Sequence, residues 1–249
     1  MSETEGSESG NSESGSSKSQ SSKPDSRRGR MHDAEGARQA ILDAAEEVFA
    51  EHGFDGARID AIAHTAGYNK SLIFQYYGDK LALYAEVIRR ADEQTRSMQN
   101  DALNNLLNAN TATDAGEVRK LLGVYIDWFF DYLVEHPRIE RIYMWEMAKG
   151  WQTFSKILSQ RDFDDVDQFA PILAKLQSAG LLRSNLNPLL QLSPAMFMCS
   201  LYLAILPLYK VLMPSVDFSS PAELAHGREF VTEFIIHGLL ISLAEVKPK

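Results

Sequence analysis

Gly67-Tyr68-Asn69-Lys70-Ser71-Leu72-Ile73-Phe74-Gln75-Tyr76-Tyr77-Gly78-Asp79-Lys80 is the stretch that decides how this 249-residue chain is read. Ahead of it, Ile59, Ala61, Ile62, Ala63 and Ala66 give a short Ala-rich helical pattern; behind it, Leu81, Leu83, Tyr84, Val87 and Ile88 give another. Gly67 breaks the first pattern. Asn69 is a good cap for a new helix, because its side-chain oxygen can accept a first-turn backbone N–H. Helix, glycine turn and short second helix is the layout of a helix-turn-helix, whose second helix enters the DNA major groove. Ile73 and Tyr77, four apart, can pack inward, leaving Lys70, Ser71, Gln75 and Tyr76 toward the outside.

Upstream, Ile41, Ala44, Ala45, Val48 and Phe49 recur at helical spacing and make one apolar face. Gly53 stands where a helix stop is expected, and Phe54 opens a short loop. Three short helices then share a small core with the start of a fourth, which the pattern carries to about residue 107. Beyond it the chain reads as helix after helix: about 118–135, 138–149 and 151–158, then, past Asn187-Pro188, about 188–213 and 221–245. No period-2 run or internal repeat interrupts them, so the expected class is all-α.

Residues 1–26 hold eleven Ser and three Gly, with no Val, Ile, Leu, Phe, Trp or Tyr. Such a segment cannot bury enough apolar area to offset its ordering entropy, and a disordered tail over 1–32 is expected. The Arg27-Arg28-Gly29-Arg30 cluster at its end reads equally as a basic arm for the minor groove or as a solvated patch. Net charge is −9, which argues against a nucleic-acid partner until it is divided. Residues 27–90 carry nine basic and ten acidic side chains, so the helix-turn-helix segment is close to neutral. Its cations Arg58, Lys70 and Lys80 fall at ends that can face phosphate.

The 195–213 stretch is the most apolar, but Ser200, Pro207 and Lys210 interrupt it, so a buried helix is expected rather than a membrane span. The N-terminus has no apolar signal-peptide core, and the lone Cys199 fits a reducing compartment, so the expected location is the cytoplasm. A Gly-rich phosphate loop, Gly-x-Ser-x-Gly and Cys-x-x-Cys are all missing, and six histidines lie scattered without ligand spacing. No metal, cofactor or catalytic residue is expected. The Asp162, Asp164, Asp165 and Asp167 cluster could bind a cation, but acids at a helix start also complement its dipole.

The head resembles the TetR family of one-component transcriptional regulators. The resemblance is carried by Ile41-Leu42-Asp43-Ala44-Ala45, Val48-Phe49, Gly53-Phe54, Ile62-Ala63, Ala66-Gly67 and Ile73-Phe74-Gln75-Tyr76-Tyr77 with Lys80 and Leu83. It implies a DNA-binding head over 36–96, with the helix-turn-helix at about 59–78, and an effector-binding and dimerisation domain over 97–249. It also implies that Asn69, Lys70, Ser71, Leu72, Gln75 and Tyr76 approach an operator duplex and that Lys80 contacts phosphate. Two residues depart from the family pattern. Phe74 replaces a usual tyrosine, and Arg58 stands where a Thr or Ser usually caps the second helix, so Arg58 either loses a cap or supplies a phosphate contact.

By the same resemblance the last two long helices form a homodimer, and a small hydrophobic or amphipathic effector releases the repressor from DNA. Met196, Phe197, Leu201, Leu208 and Leu212, with Phe230, Phe234, Leu240 and Leu243, independently exceed what one helix pair should show to water. Trp128, Tyr132, Tyr143, Met144, Trp145 and Met147 are the expected pocket walls, with plain core packing as the alternative for each. Competing functions are a helical ligand-binding or interaction module that has lost DNA binding, and an enzyme using the helical pocket.

Overall fold

The computed structural model describes residues 26–107, 114–160, 174–182 and 187–240, with side chains from Ala34 onward except at 99–100, 102–104, 106–107, 188–189 and 192–195. The tail before residue 26, the Arg27–Arg30 side chains, the Asp162–Asp167 cluster and Leu243 lie outside the described residues. Every regular element among the described residues is a helix: α1 (Ser26–Gly56), α2 (Ile59–Ala66), α3 (Lys70–Tyr77), α4 (Lys80–Leu107), α5 (Ala115–Glu135), α6 (Pro137–Ala148) and α7 (Gln152–Leu158). A short helical stretch at 174–178 is α8. The series closes with α9 (Pro188–Leu212) and α10 (Pro221–Leu239). None of these helices is long and apolar enough to cross a membrane.

Backbone chemistry fixes the turns. Within α1 the helix breaks at Gly53, whose φ of 66° and ψ of 177° belong to a region open essentially to glycine alone. Gly67 ends α2 with φ 73°; its N–H donates to His64 O, and the Tyr68 N–H donates to Ala63 O. That pair of bonds is a Schellman stop, which turns the chain sharply into α3. Asn69 caps α3 as its residue type suggests, its Oδ1 accepting from the Leu72 N–H at 2.8 Å. Asp79 does the same for α4, accepting from the Ala82 N–H at 2.8 Å.

Two apolar clusters hold the helices. One joins α5, α9 and α10 through Ile126, Phe130, Leu133, Cys199, Val231 and Ile235, with Thr232 donating to Asp127 Oδ1 at 2.6 Å. The other is built on α1–α4 from Ile41, Phe49, Ile62, Ile73, Tyr84 and Val87, and it also contains Ile139 and Ile142 of α6 and Ile157 of α7. The core of the head therefore extends past the four helices read from the sequence. Along α6, Arg138 pairs with Glu47 at 2.6 Å, the Trp145 indole N–H donates to Ala50 O at 3.2 Å, and Lys149 pairs with Asp55 at 3.2 Å. These contacts pin α6 lengthwise to α1.

At the end of α6 sits Glu146, 2% exposed, with both carboxylate oxygens occupied. Tyr84 of α4 donates its hydroxyl to Oε1 at 2.9 Å, and the Phe154 N–H of α7 donates to Oε2 at 3.0 Å. Burial, and then the neighbouring Glu146 charge, raises the Tyr84 phenol well above its ordinary range. Burial likewise raises Tyr143, with Asp92 adding to it, and pushes Tyr132 and Cys199 each to about 12. These groups stay protonated in the folded chain at pH values where the unfolded chain ionises. Their contribution is full below about pH 9 and is lost as pH rises, the thiol first and the phenols from about pH 10. Urea midpoints are therefore expected to fall from pH 8 to pH 11, and Tyr84→Phe should make that fall shallower.

Candidate nucleic-acid interface

α3 divides into two faces. Ile73 is buried, and Leu72, Tyr76 and Tyr77 are half-buried against the head core. Lys70, Ser71, Phe74 and Gln75 are exposed. Tyr76 thus lies further in than the spacing suggested, and Phe74, 42% exposed, takes the outward place. The cause is helical pitch. Three residues beyond Ile73, the chain has come back to within about 60° of it, while Phe74 points about 100° away. The Tyr77 hydroxyl donates to Arg38 O at 3.0 Å, and the Arg38 guanidinium lies 5.0 Å from the Tyr76 ring centroid. Arg38, Phe74 and the exposed Tyr68 are surface features that the sequence did not put forward as DNA contacts. For Phe74 the signal was available in its position one residue past the buried Ile73.

The cations are not all outward. Lys70 pairs with Asp60 of α2 at 3.1 Å, both side chains in solvent. Lys80 folds back: its Nζ donates to Asp55 O at 3.4 Å and lies 4.6 Å from the Phe54 ring centroid. Partial burial lowers its ammonium pKa, with Asp55 opposing. Arg58 is exposed at the N-cap of α2 and makes no side-chain capping bond. Restoring the cap with Arg58→Ser should raise stability by about 1 kcal/mol. A thermal melt reads this, and an unchanged or lower midpoint would count against an unfilled cap.

The six aromatic and Met side chains read as pocket walls do not converge. Trp128 stacks between Tyr125 and Tyr132, at 5.9 and 5.7 Å, and the Tyr132 hydroxyl donates to Gln94 of α4 at 3.2 Å. Tyr143 reaches Asp92 of α4 at 3.4 Å, Trp145 turns to α1, and Met147 is exposed. Met144 lines a cavity of about 680 Å³ between the end of α5, the start of α6, α9 and the α9–α10 connection. Consecutive positions on one helix point about 100° apart, so Tyr143, Met144 and Trp145 serve three different neighbours.

Away from the head, α9 and α10 carry an apolar surface in solvent. Leu201, Leu208, Leu212, Phe230 and Phe234 are all exposed, each by more than half. Met196 and Phe197 are half-buried, Phe197 lying against Trp151 at 5.4 Å, and Leu240 is buried.

A capped short helix behind a glycine-turned one, set on an all-helical body, defines a helix-turn-helix protein. Residues 41–87 match the family described as bacterial regulatory proteins, tetR family, and residues 119–235 match the Tetracyclin repressor-like C-terminal domain. The chain belongs to the TetR family, whose members are DNA-binding regulators and not enzymes. Over 114 residues it is 35% identical to the HTH-type transcriptional repressor SCO4008 of Streptomyces coelicolor, covering 46% of this chain and 51% of that protein. Over 111 residues it is 34% identical to the HTH-type transcriptional activator FasR of Mycolicibacterium smegmatis, covering 45% and 46%. The chain thus spans about half the length of these curated relatives. The crystal structure of a TetR family transcription regulator from Marinobacter aquaeolei VT8 shares the fold, with a TM-score of 0.58 and 20% identity over 86% of this chain and all of that one.

Proposed function

We propose that the protein is a cytoplasmic, sequence-specific DNA-binding repressor, paired as a homodimer through α9 and α10 and released from its operator by a small hydrophobic or amphipathic effector. The observation that carries this reading is the outward face of α3, where Lys70, Ser71, Phe74 and Gln75 stand exposed beside the capped N-terminus at Asn69. The amide of Gln75 can pair with adenine and the Phe74 ring can meet a thymine methyl. Lys70, Arg58 and the first-turn N–H groups supply phosphate contacts and register. Lys80 would have to leave Asp55 O to join them.

The head over 36–96 and the effector and dimerisation part over 97–249 have distinct tasks in this reading. The exposed Leu201, Leu208, Leu212, Phe230 and Phe234 supply a self-complementary apolar face. A twofold pair sets two copies of α3 about 34 Å apart, one turn of duplex. The effector acts by binding better to a conformation in which that spacing is wrong, and it shifts the equilibrium only by its differential affinity.

The test is fluorescence anisotropy on a duplex recovered from genomic DNA bound to the protein. Affinity should fall steeply with salt, and Lys70→Ala with Gln75→Ala should weaken it by at least about tenfold at fixed salt. Binding that ignores salt and both substitutions would instead leave a helical interaction module.

A further inference from the structure

The cavity between α5, α6 and α9 holds one polar group out of place. Its walls are mainly apolar, including Leu133, Met144, Leu203 and Phe218, but Glu140 of α6 lines it too. Glu140 Oε1 is closed off from solvent and has no hydrogen-bond partner among the described residues. A buried acceptor left unpaired is uncommon in folded proteins and asks for a donor. Burial raises the Glu140 carboxyl pKa, with Arg141 opposing. Its place in the first turn of α6 also favours the ionised form, through the helix dipole.

Among the described residues, the cations at the cavity are Arg141 and Lys210, both exposed and both already facing carboxylates of this chain. Arg141 acts on Glu140, and Lys210 on Asp217. Solvent screens both, so the one Glu140 oxygen that has lost its water governs the choice of ligand.

We propose that this cavity binds an amphipathic amine, with the apolar body along Leu133, Met144 and Leu203 and the protonated nitrogen donating to the Glu140 carboxylate. An ammonium brings three donors and a charge, and pairs with a carboxylate more strongly than a neutral donor does. The size agrees: about 680 Å³ falls inside the range of about 300–1,000 Å³ typical of small-molecule sites. As an effector site, this assignment rests on the reading of the protein as a ligand-released regulator.

Calorimetric titration of the full chain with dodecylammonium, dodecanoate and dodecanol, each below its micelle concentration, tests it. Dodecylammonium should bind at least about tenfold more tightly than the other two, and Glu140→Gln should remove that preference. Ala204→Trp, which fills the cavity from α9, should abolish binding of all three. Arg141→Ala keeps the test independent of how Glu140→Gln folds: loss of the competing cation should raise amine affinity a few-fold. Equal or tighter binding of dodecanoate, or an amine preference that survives Glu140→Gln, overturns the assignment. If no amine binds while duplex binding stays salt-sensitive, the site falls and the regulator reading stands. If the amine binds and duplex affinity does not change, the site stands and its effector role falls.

Discussion

Gly53→Ala should lower the unfolding free energy by about 2–4 kcal/mol, among the largest effects of any single methyl added to this chain. Two causes add. The backbone at Gly53 holds φ 66° and ψ 177°, a conformation that an L side chain resists by about 1–3 kcal/mol. The added Cβ would also stand 3.0 Å from Trp145 Cδ2, inside ordinary contact, with further ring atoms at 3.2 and 3.3 Å. That ring cannot swing aside freely, because its indole N–H donates to Ala50 O. Urea unfolding of Gly53→Ala, Trp145→Ala and the double variant separates the causes. Removing the ring should relieve the steric share and leave the backbone share in place. A Gly53→Ala midpoint equal to the parent's would show that neither constraint operates.

Glu146→Ala should cost about 3–5 kcal/mol, because it strands two donors and opens a cavity in a closed site. The Tyr84 hydroxyl and the Phe154 N–H both end on this carboxylate, which is shut off from solvent. Glu146→Gln keeps an acceptor and the volume, so its cost should be about half as large or less. Tyr84→Phe should cost about 1–3 kcal/mol, and a double-mutant cycle with Glu146→Gln should show coupling between the two positions. Additive losses would mean that the 2.9 Å contact carries no energy of its own. The same variants have a second readout. Glu146 ties α4, which follows α3, to α7, so Glu146→Gln should loosen any response of DNA affinity to effector more than it changes DNA affinity itself.

What the sequence made legible was local. Asn69 as a cap and Gly67 as a stop depend on one or a few residues, and the structure has both; at Gly53 it has a kink inside α1, with helix resuming through Phe54 to Gly56 where a loop was expected. The exposed apolar residues of α9 and α10 were legible in part, since an excess of Leu and Phe over what two helices can hide is visible in composition. Orientation was not. Tyr76, read as outward, is half-buried, and Phe74, given no orientation by the pattern, is exposed, through angular differences that residue type does not resolve. Lys80 turned away from the α3 face because the Phe54 ring and Asp55 O, more than twenty positions earlier, offered it a seat. Tyr143, Met144 and Trp145 of α6 were read together as pocket walls, yet Tyr143 turns to α4, Trp145 to α1 and Met144 alone to the cavity. Glu146 had no signal at all: its partner Tyr84 is 62 positions away, and nothing marks a glutamate as buried until both are placed.

The contribution of Ile139, Ile142 and Ile157 to the head core limits how this protein can be dissected. A fragment ending with α4 would bare the hydrophobic seats those side chains fill, and it would lose the clasp that Arg138, Trp145 and Lys149 place on α1. Chimaeras that graft a foreign reading head onto this body should therefore succeed when α6 travels with the graft, or when its contact positions are rewritten to suit. Junctions drawn at the α4–α5 boundary should give insoluble products.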